Sequence, residues 1–389
     1  MRSAIVLGVV LAAACSEPAS NTGPADASAG DLGSASADTG LELRDADAPA
    51  ADATAAIDAD AAAAPDADAP PDAGGRRFQV IDRYDDRGHG LLFQSGKLYS
   101  VNSAADVVYV YDGLSFTKTA TIPVGALPLR LVSDGRYLYC LNAMARDAGD
   151  AFLSIIDPAT DRVVASLSVE EKQEGSDPDN YPWTNFPAGL AVLDGALYIT
   201  FPTNAEPDIL RVDIGGAWRQ HPLFPAGSGP DDLAAAQGRL FVINMRALLN
   251  PADDVLLVLG TDGSPVRTLD TGGGLKSIRA VDGRVLLTRA FPNSAGGELM
   301  EIDPITTATR SVEACPGAFG IAEAGGPIWV SCPSAKLLRS YDRATLAPLE
   351  RIDLSAYQPS IEFPRGIAVS PRGDLFLESD QMISVLTAP

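Results

Sequence analysis

One short pattern returns along most of this 389-residue chain. It reads GKLYSVN from Gly96, GRYLYCLN from Gly135, GALYITFPTN from Gly195, GRLFVIN from Gly238, GRVLLTR from Gly283, GPIWVSC from Gly326 and GDLFLES from Gly373. Successive glycines lie 39, 60, 43, 45, 43 and 47 residues apart. A unit that repeats at a fixed period is one supersecondary element that cannot bury both of its faces alone, so its copies must stack on one another. That requirement constrains the fold more than any feature of composition.

The interior of each unit narrows the choice. A short apolar run comes first, as in GLAV (Gly189 to Val192) and GIAV (Gly366 to Val369), followed by a tight turn such as Asp134-Gly135, Asp194-Gly195 or Asp282-Gly283. Asp and Gly tolerate the positive φ that two-residue hairpins need. The LYIT-type strand follows, then a variable loop, a third strand ending on Asp (Asp112, Asp157, Asp213, Asp303, Asp342), a turn and a more polar fourth strand. Four short strands per period in the forties specify a β-propeller blade. The carboxylates that end the third strands are expected to accept backbone N–H bonds in the next turn, as structural turn residues. The last unit stops after three strands, while RFQVIDRY (Arg77 to Tyr84) precedes the first unit without a blade of its own. Pairing the two ends would close the ring and remove both exposed sheet edges. The expectation is therefore an all-β, seven-bladed propeller whose N-terminal strand completes the last blade, with six or eight blades as the alternative if one repeat is degenerate.

What precedes the repeats is different in kind. MRSAIVLGVVLAAAC carries Arg2, an apolar run from Ala4 to Ala14 too short to span a bilayer, and small residues leading into Cys15. It resembles a bacterial lipoprotein signal, with Ala12 where that pattern prefers Leu. The resemblance implies export and lipidation of Cys15, and Ser16 beside it implies the outer membrane. An ordinary signal cleaved near Ala14 is the alternative. From Ser16 to Gly75 the chain is nearly all Ala, Asp, Ser, Pro and Gly, with thirteen acids against Arg44, a net of −12 out of the chain's −22. Such a segment cannot bury enough apolar surface to offset its ordering entropy and reads as a self-repelling tether. The expected organisation is a signal over 1–15, a disordered tether over 16–75 and the propeller over 76–389.

Tyr99-Ser-Val-Asn102, Tyr139-Cys-Leu-Asn142 and Phe241-Val-Ile-Asn244 resemble the tetrapeptide of the YVTN-repeat propellers, and IIDPATDRVVASL (Ile155 to Leu167) resembles their third strand, turn and fourth strand. The globular part is thus similar to YVTN or YncE-like seven-bladed propellers. The resemblance is specific for fold and weak for function. It implies an exported protein, and in a sister group, the SMP-30/gluconolactonase type, a channel metal that serves lactone hydrolysis.

Strand order places the starts of the first strands at one face of the disc. Aligning the units brings Arg130, Asp231, Asp232, Lys276, Arg365 and His89 towards one mouth. A metal-dependent hydrolase needs several oxygen ligands converging on one ion. Two adjacent aspartates surrounded by cations suggest instead a mixed-charge pocket for an anion or zwitterion, or a salt-bridged plug; both stay open here. Trp183, with Tyr181 and Phe186 in the long insertion of the second unit, is a further recognition candidate, or else part of a lid.

Other chemistries fare worse. The acidic balance disfavours nucleic acid, which needs a basic face. Two histidines, His89 and His221, are too few for a multi-histidine metal or haem site, and there is no CxxC, GxSxG or phosphate-binding glycine loop followed by a helix. No cofactor is expected. Beyond Cys15 three cysteines remain, so at least one is unpaired. Cys315 and Cys332 flank the first hairpin of one unit, and counting from the Gly325-Gly326 turn leaves open whether they bond. Cys140 is expected as a buried thiol. The chain is thus expected to be a monomeric binding or interaction scaffold of the cell envelope, held by its lipid, with a small molecule or a protein on one disc face. A metal-dependent hydrolase in the channel is the alternative.

Overall fold

The computed structural model describes residues 75–83, 90–143, 151–168, 187–202, 208–214, 220–223, 229–245, 254–291, 296–357, 365–379 and 382–388. The signal, the tether, His89 and the loop that carries Trp183 lie outside these residues.

Among the described residues 28 strands form seven antiparallel four-stranded sheets. Blade 1 runs through Leu91–Gln94, Lys97–Asn102, Val107–Asp112 and Lys118–Pro123. Blades 2 to 6 repeat the order, with first strands at Pro128–Ser133, Leu190–Leu193, Pro230–Ala236, Leu275–Val281 and Ile321–Ala322. Blade 7 has Gly366–Val369, Leu375–Glu378 and Met382–Thr387, and its outer strand is Arg77–Arg83 from the opposite end of the chain. The register of that closure pairs Arg77 with Thr387, Phe78 with Leu386 and Arg83 with Met382. The expected composite blade is present. Each first strand touches the first strand of the next blade, and Gly366–Val369 touches Leu91–Gln94, so the ring is closed.

Burial runs outward from the axis in the way the residues dictate. Second strands such as Leu138–Asn142 are buried throughout. Fourth strands are mostly exposed and bury one aliphatic residue near their end: Ile122, Leu167, Leu269 and Ile352. The apolar core is divided into seven clusters, one at each blade interface. The cluster between blades 7 and 1 joins Leu98 and Tyr111 to Phe376, Ile383 and Val385. Between blades 6 and 7 the N-terminal Phe78 lies 5.1 Å from the Tyr357 ring and shares a cluster with Trp329 and Leu386. Burying these large side chains at about 25 cal/mol per Å² of apolar surface holds each blade to its neighbour.

Polar latches fasten the same interfaces. The basic residue just after the turn glycine reaches the outer turn of the following blade. Lys97 Nζ donates to Pro158 O (3.0 Å) and Asp161 Oδ2 (2.7 Å), Arg239 donates to Pro304 O (3.0 Å) and Ile305 O (2.8 Å), and Arg284 donates to Arg343 O (3.1 Å). In the last blade Arg372, one residue before its glycine, donates to Gly113 O of blade 1 at 2.9 Å.

The turns bear out most of the local expectations. Ser95-Gly96, Asp194-Gly195, Gln237-Gly238 and Asp282-Gly283 all have positive φ at both positions, as a type I′ hairpin requires. Asp134-Gly135 departs: only Gly135 has positive φ, and the Asp134 carboxylate accepts from the Arg136 and Tyr137 amides in a wider turn. Asn102 caps its loop through the Ala104 and Ala105 amides, whereas Asn142 donates to Ala151 O and Ser154 Oγ on the next strand. Cys315 and Cys332 form a disulfide, their Cα atoms 6.0 Å apart. Cys315 lies before the first strand of blade 6 and not across the hairpin, which is how the pair meets despite its register. Cys140 is a free, fully buried thiol whose pKa burial pushes up.

Candidate functional site

The first strands of all seven blades line an axial cavity of about 640 Å³. Its wall carries aliphatic and aromatic side chains, among them Leu91, Phe93 and Leu129, together with a group of charges spread unequally around the ring. Arg130 comes from blade 2, Asp231 and Asp232 from blade 4, Lys276 and Arg279 from blade 5, and Arg365 from the entry to blade 7. The structure therefore brings together all five of the described residues expected at the mouth. Arg279 was not anticipated. It sits in SIRAV, four residues after Leu275 in a strand that otherwise reads as an ordinary inner strand, and it reaches Asp232 of blade 4.

Local backbone irregularity aims these charges. The pairing of first and second strands slips between Pro128 and Arg130, between Pro230 and Leu233, and between Leu275 and Ser277. Each slip is a bulge at the residues that carry charge, and bulges redirect side chains while ending regular pairing. Glycine makes the second contribution. A Cβ on Gly189 would lie 2.6 Å from Asp231 O, and one on Gly320 would lie 2.6 Å from Arg365 O. The absent side chains let the neighbouring blade bring its mouth residue to the axis. Hydroxyls on the second strands complete the joint: Thr200 Oγ1 accepts from Gly189 N at 2.8 Å and donates to Asp231 O, and Thr288 Oγ1 donates to Phe319 O at 2.5 Å.

The charges are not equivalent. Asp232 is buried, 1% exposed, and its Oδ2 receives Arg130 at 3.1 Å and Arg279 at 3.5 Å, while its Oδ1 accepts from Leu233 N. Arg130 also donates to Ala188 O at 2.6 Å. One carboxylate thus stands between two guanidinium groups, which is the salt-bridged plug. Asp231 remains beside it, and burial, then the Asp232 carboxylate, holds its carboxyl above the usual carboxylate range against the pull of Arg130 and Lys276. Among the described residues no hydrogen bond or ion pair engages the side chains of Lys276 and Arg365. Arg130, Asp232 and Arg279 form the plug, while Lys276, on the same strand as Arg279, and Arg365 line the cavity outside that cluster.

Among the described residues no group of three or more His, Cys, Asp or Glu is placed to hold a metal ion. At the outer turns Asp112, Asp303 and Asp342 each accept two backbone amides after their strand; these bonds, with the Thr345 hydroxyl first at Asp342, hold their carboxyls below the usual range. His221 is in the fourth strand of blade 3, paired with Arg211.

No family model and no curated protein matches the chain. Solved structures do. The chain is similar to a streptogramin B lyase at 13% identity and a TM-score of 0.59, over 81% of this chain and 98% of that one. It is similar to the WD40 propeller domain of Doa1 at 11% identity and a TM-score of 0.58, again over 81% and 98%. It is also similar to Kuenenia stuttgartiensis hydrazine synthase, at 13% identity and a TM-score of 0.57 over 76% and 94%. At these identities the likeness is one of fold. The chain is a seven-bladed β-propeller.

Proposed function

We propose that this chain is a cell-envelope propeller that binds a small ligand in its axial channel, held at the outer membrane by a lipid on Cys15 and spaced from it by residues 16–75. The motifs YSVN, YCLN and FVIN support a YVTN/YncE-like assignment within the propellers. One observation carries the binding reading: Lys276 and Arg365, on two different blades, face a common cavity of about 640 Å³ with no ion pair among the described residues. A cavity of that size is ordinary for a small-molecule site. The same charges argue against metal-dependent hydrolysis, since a divalent cation at the axis would face Arg130, Lys276, Arg279 and Arg365 with Asp232 already committed to two of them.

Ala280 lines the channel and is exposed to it, so Ala280→Trp fills the space without removing a charge. A small-molecule extract of the envelope should raise the melting temperature of the full chain and leave A280W unmoved; equal responses would overturn the channel as the binding site. For the anchor, Cys15→Ala should move the protein out of the membrane fraction and abolish palmitate labelling. Retention in that fraction without label would overturn it.

A further inference from the structure

The molecule as a whole is strongly acidic, at −22, yet its channel wall is not. Arg130, Lys276, Arg279 and Arg365 stand against Asp231, Asp232 and Glu323. That is one positive charge in formal count. Glu323 is taken up by Arg343 at 2.8 Å, outside the wall, which makes the unbalanced charge two. A local reversal of sign inside a low-dielectric cleft focuses the field on whatever enters it and selects anions from solution. The excess is shared: Arg130 and Arg279 on the single Asp232 leave one positive charge, and Lys276 and Arg365 against Asp231 leave the other.

We infer that the channel recognises a small organic dianion, a dicarboxylate or a phosphate ester, through Lys276 and Arg365, with the Arg130–Asp232–Arg279 cluster as the fixed wall behind it. This rests on the channel being the ligand site and names what the site takes. The two unbalanced positive charges of the wall set the number of negative charges, and Lys276 and Arg365, from blades 5 and 7, are the cations whose side chains hold no hydrogen bond or ion pair among the described residues. Arg365 offers a planar fork of donors suited to carboxylate or phosphate oxygens, and Lys276 a compact point charge. The apolar stretch of the wall, with Leu91, Phe93 and Leu129, suits a carbon skeleton between the charged ends.

Calorimetry on the full chain with succinate, inorganic phosphate, acetate and neutral succinamide tests this. Succinate or phosphate should bind, more weakly as salt rises, acetate at least about tenfold more weakly and succinamide not at all. Preference for succinate over phosphate assigns the carboxylate form, and the reverse order the phosphate form. Lys276→Gln and Arg365→Gln should each weaken binding about tenfold or more while leaving the melting temperature of the free protein in place, because neither side chain holds a structural partner. Equal binding of succinate and succinamide, or unchanged affinity in both variants, overturns the inference. If the envelope extract still stabilises K276Q and R365Q but not A280W, the channel binds something other than an anion. If it stabilises A280W as well, the channel reading itself has failed.

Discussion

The acids at the outer rim and the acids at the axis of this disc occupy the same repeating sheets and behave differently. At the rim, Asp112, Asp157, Asp303 and Asp342 recur in register, each capping the turn after a third strand. Each turn carries a residue of positive φ four places on: Phe116, Asp161, Thr307 and Leu346. The amide of that residue donates to the carbonyl of the Asp in every case, at 2.8 to 2.9 Å. At the axis, Asp231 and Asp232 occur in one blade out of seven. Repetition marks what every blade needs in order to close its own sheet. A charge that appears once, on a bulge, beside unlike charges from other blades, belongs to the assembled ring.

The sharpest way to break this contrast is to remove Asp232. Its carboxylate is buried between Arg130 and Arg279, and deleting it leaves two guanidinium groups facing each other beside an apolar wall. Breaking a buried pair costs 3–5 kcal/mol in general, and because both arginines keep some contact with water, Asp232→Ala should cost about 3 kcal/mol. Urea unfolding measures it. If D232A costs no more than the same change at Asp342, axis and rim are equivalent and the contrast fails. Arg130→Ala should cost less, since Asp232 would keep Arg279.

Glycines give a second, smaller contrast. Gly189→Ala forces a Cβ to within 2.6 Å of Asp231 O and 2.8 Å of Thr200 Oγ1, and backbone cannot yield as a flexible side chain would. Overpacking of this kind costs about 1–3 kcal/mol, and here it displaces a mouth residue, so ligand-dependent stabilisation should fall with it. Gly195→Ala meets nothing within 4 Å, and its only cost is the φ of +77° at a hairpin turn, about 1–2 kcal/mol. Both variants lower the melting temperature, and G189A alone should lose its response to ligand. Equal ligand responses would show that the mouth tolerates a shift of Asp231.

These contrasts bear on what could be read before the structure. Seven blades, the composite closure through Phe78 and the capping role of Asp303 or Asp342 were legible because each rests on local pattern: period, turn chemistry, an unpaired strand at either end. So was the gathering of Arg130, Asp231, Asp232, Lys276 and Arg365, because a closed ring brings every first-strand start to one mouth. Arg279 was not legible, since its partner Asp232 lies on another blade and nothing in its place in the repeat marks that contact. The latch residues Lys97, Arg239 and Arg284 follow the turn glycine in three units and could have been found from that spacing; the target all three share is a backbone carbonyl of the next blade, which leaves no mark on the residue types. The Cys315–Cys332 bond escaped for a related reason. Its first cysteine precedes the sheet, where hairpin register does not apply.

The smallest expected effect concerns the rim. Asp342 Oδ1 accepts from the Ala344 and Thr345 amides at 3.1 and 2.8 Å and from Thr345 Oγ1 at 2.7 Å, and these bonds, the Thr345 hydroxyl first, hold its pKa below the ordinary value of 3.8. A carboxyl whose pKa is lowered on folding contributes stability that is fully present above its unfolded pKa and fades as pH falls through the folded one. Asp342→Asn keeps an oxygen able to accept the same bonds and removes only the charge. The variant should therefore melt slightly below the parent at neutral pH, and the gap should close as pH drops below the ordinary carboxylate range. Asp112→Asn and Asp303→Asn should trace the same curve, because the turn is the same, and the three distant changes should add. Melting temperatures from pH 7 to strongly acid conditions decide it. A gap that persists in acid, or three unlike curves, would mean that the rim carboxylates answer to their surroundings as individually as Asp231 and Asp232 do, and repetition would no longer distinguish turn residues from those of the channel.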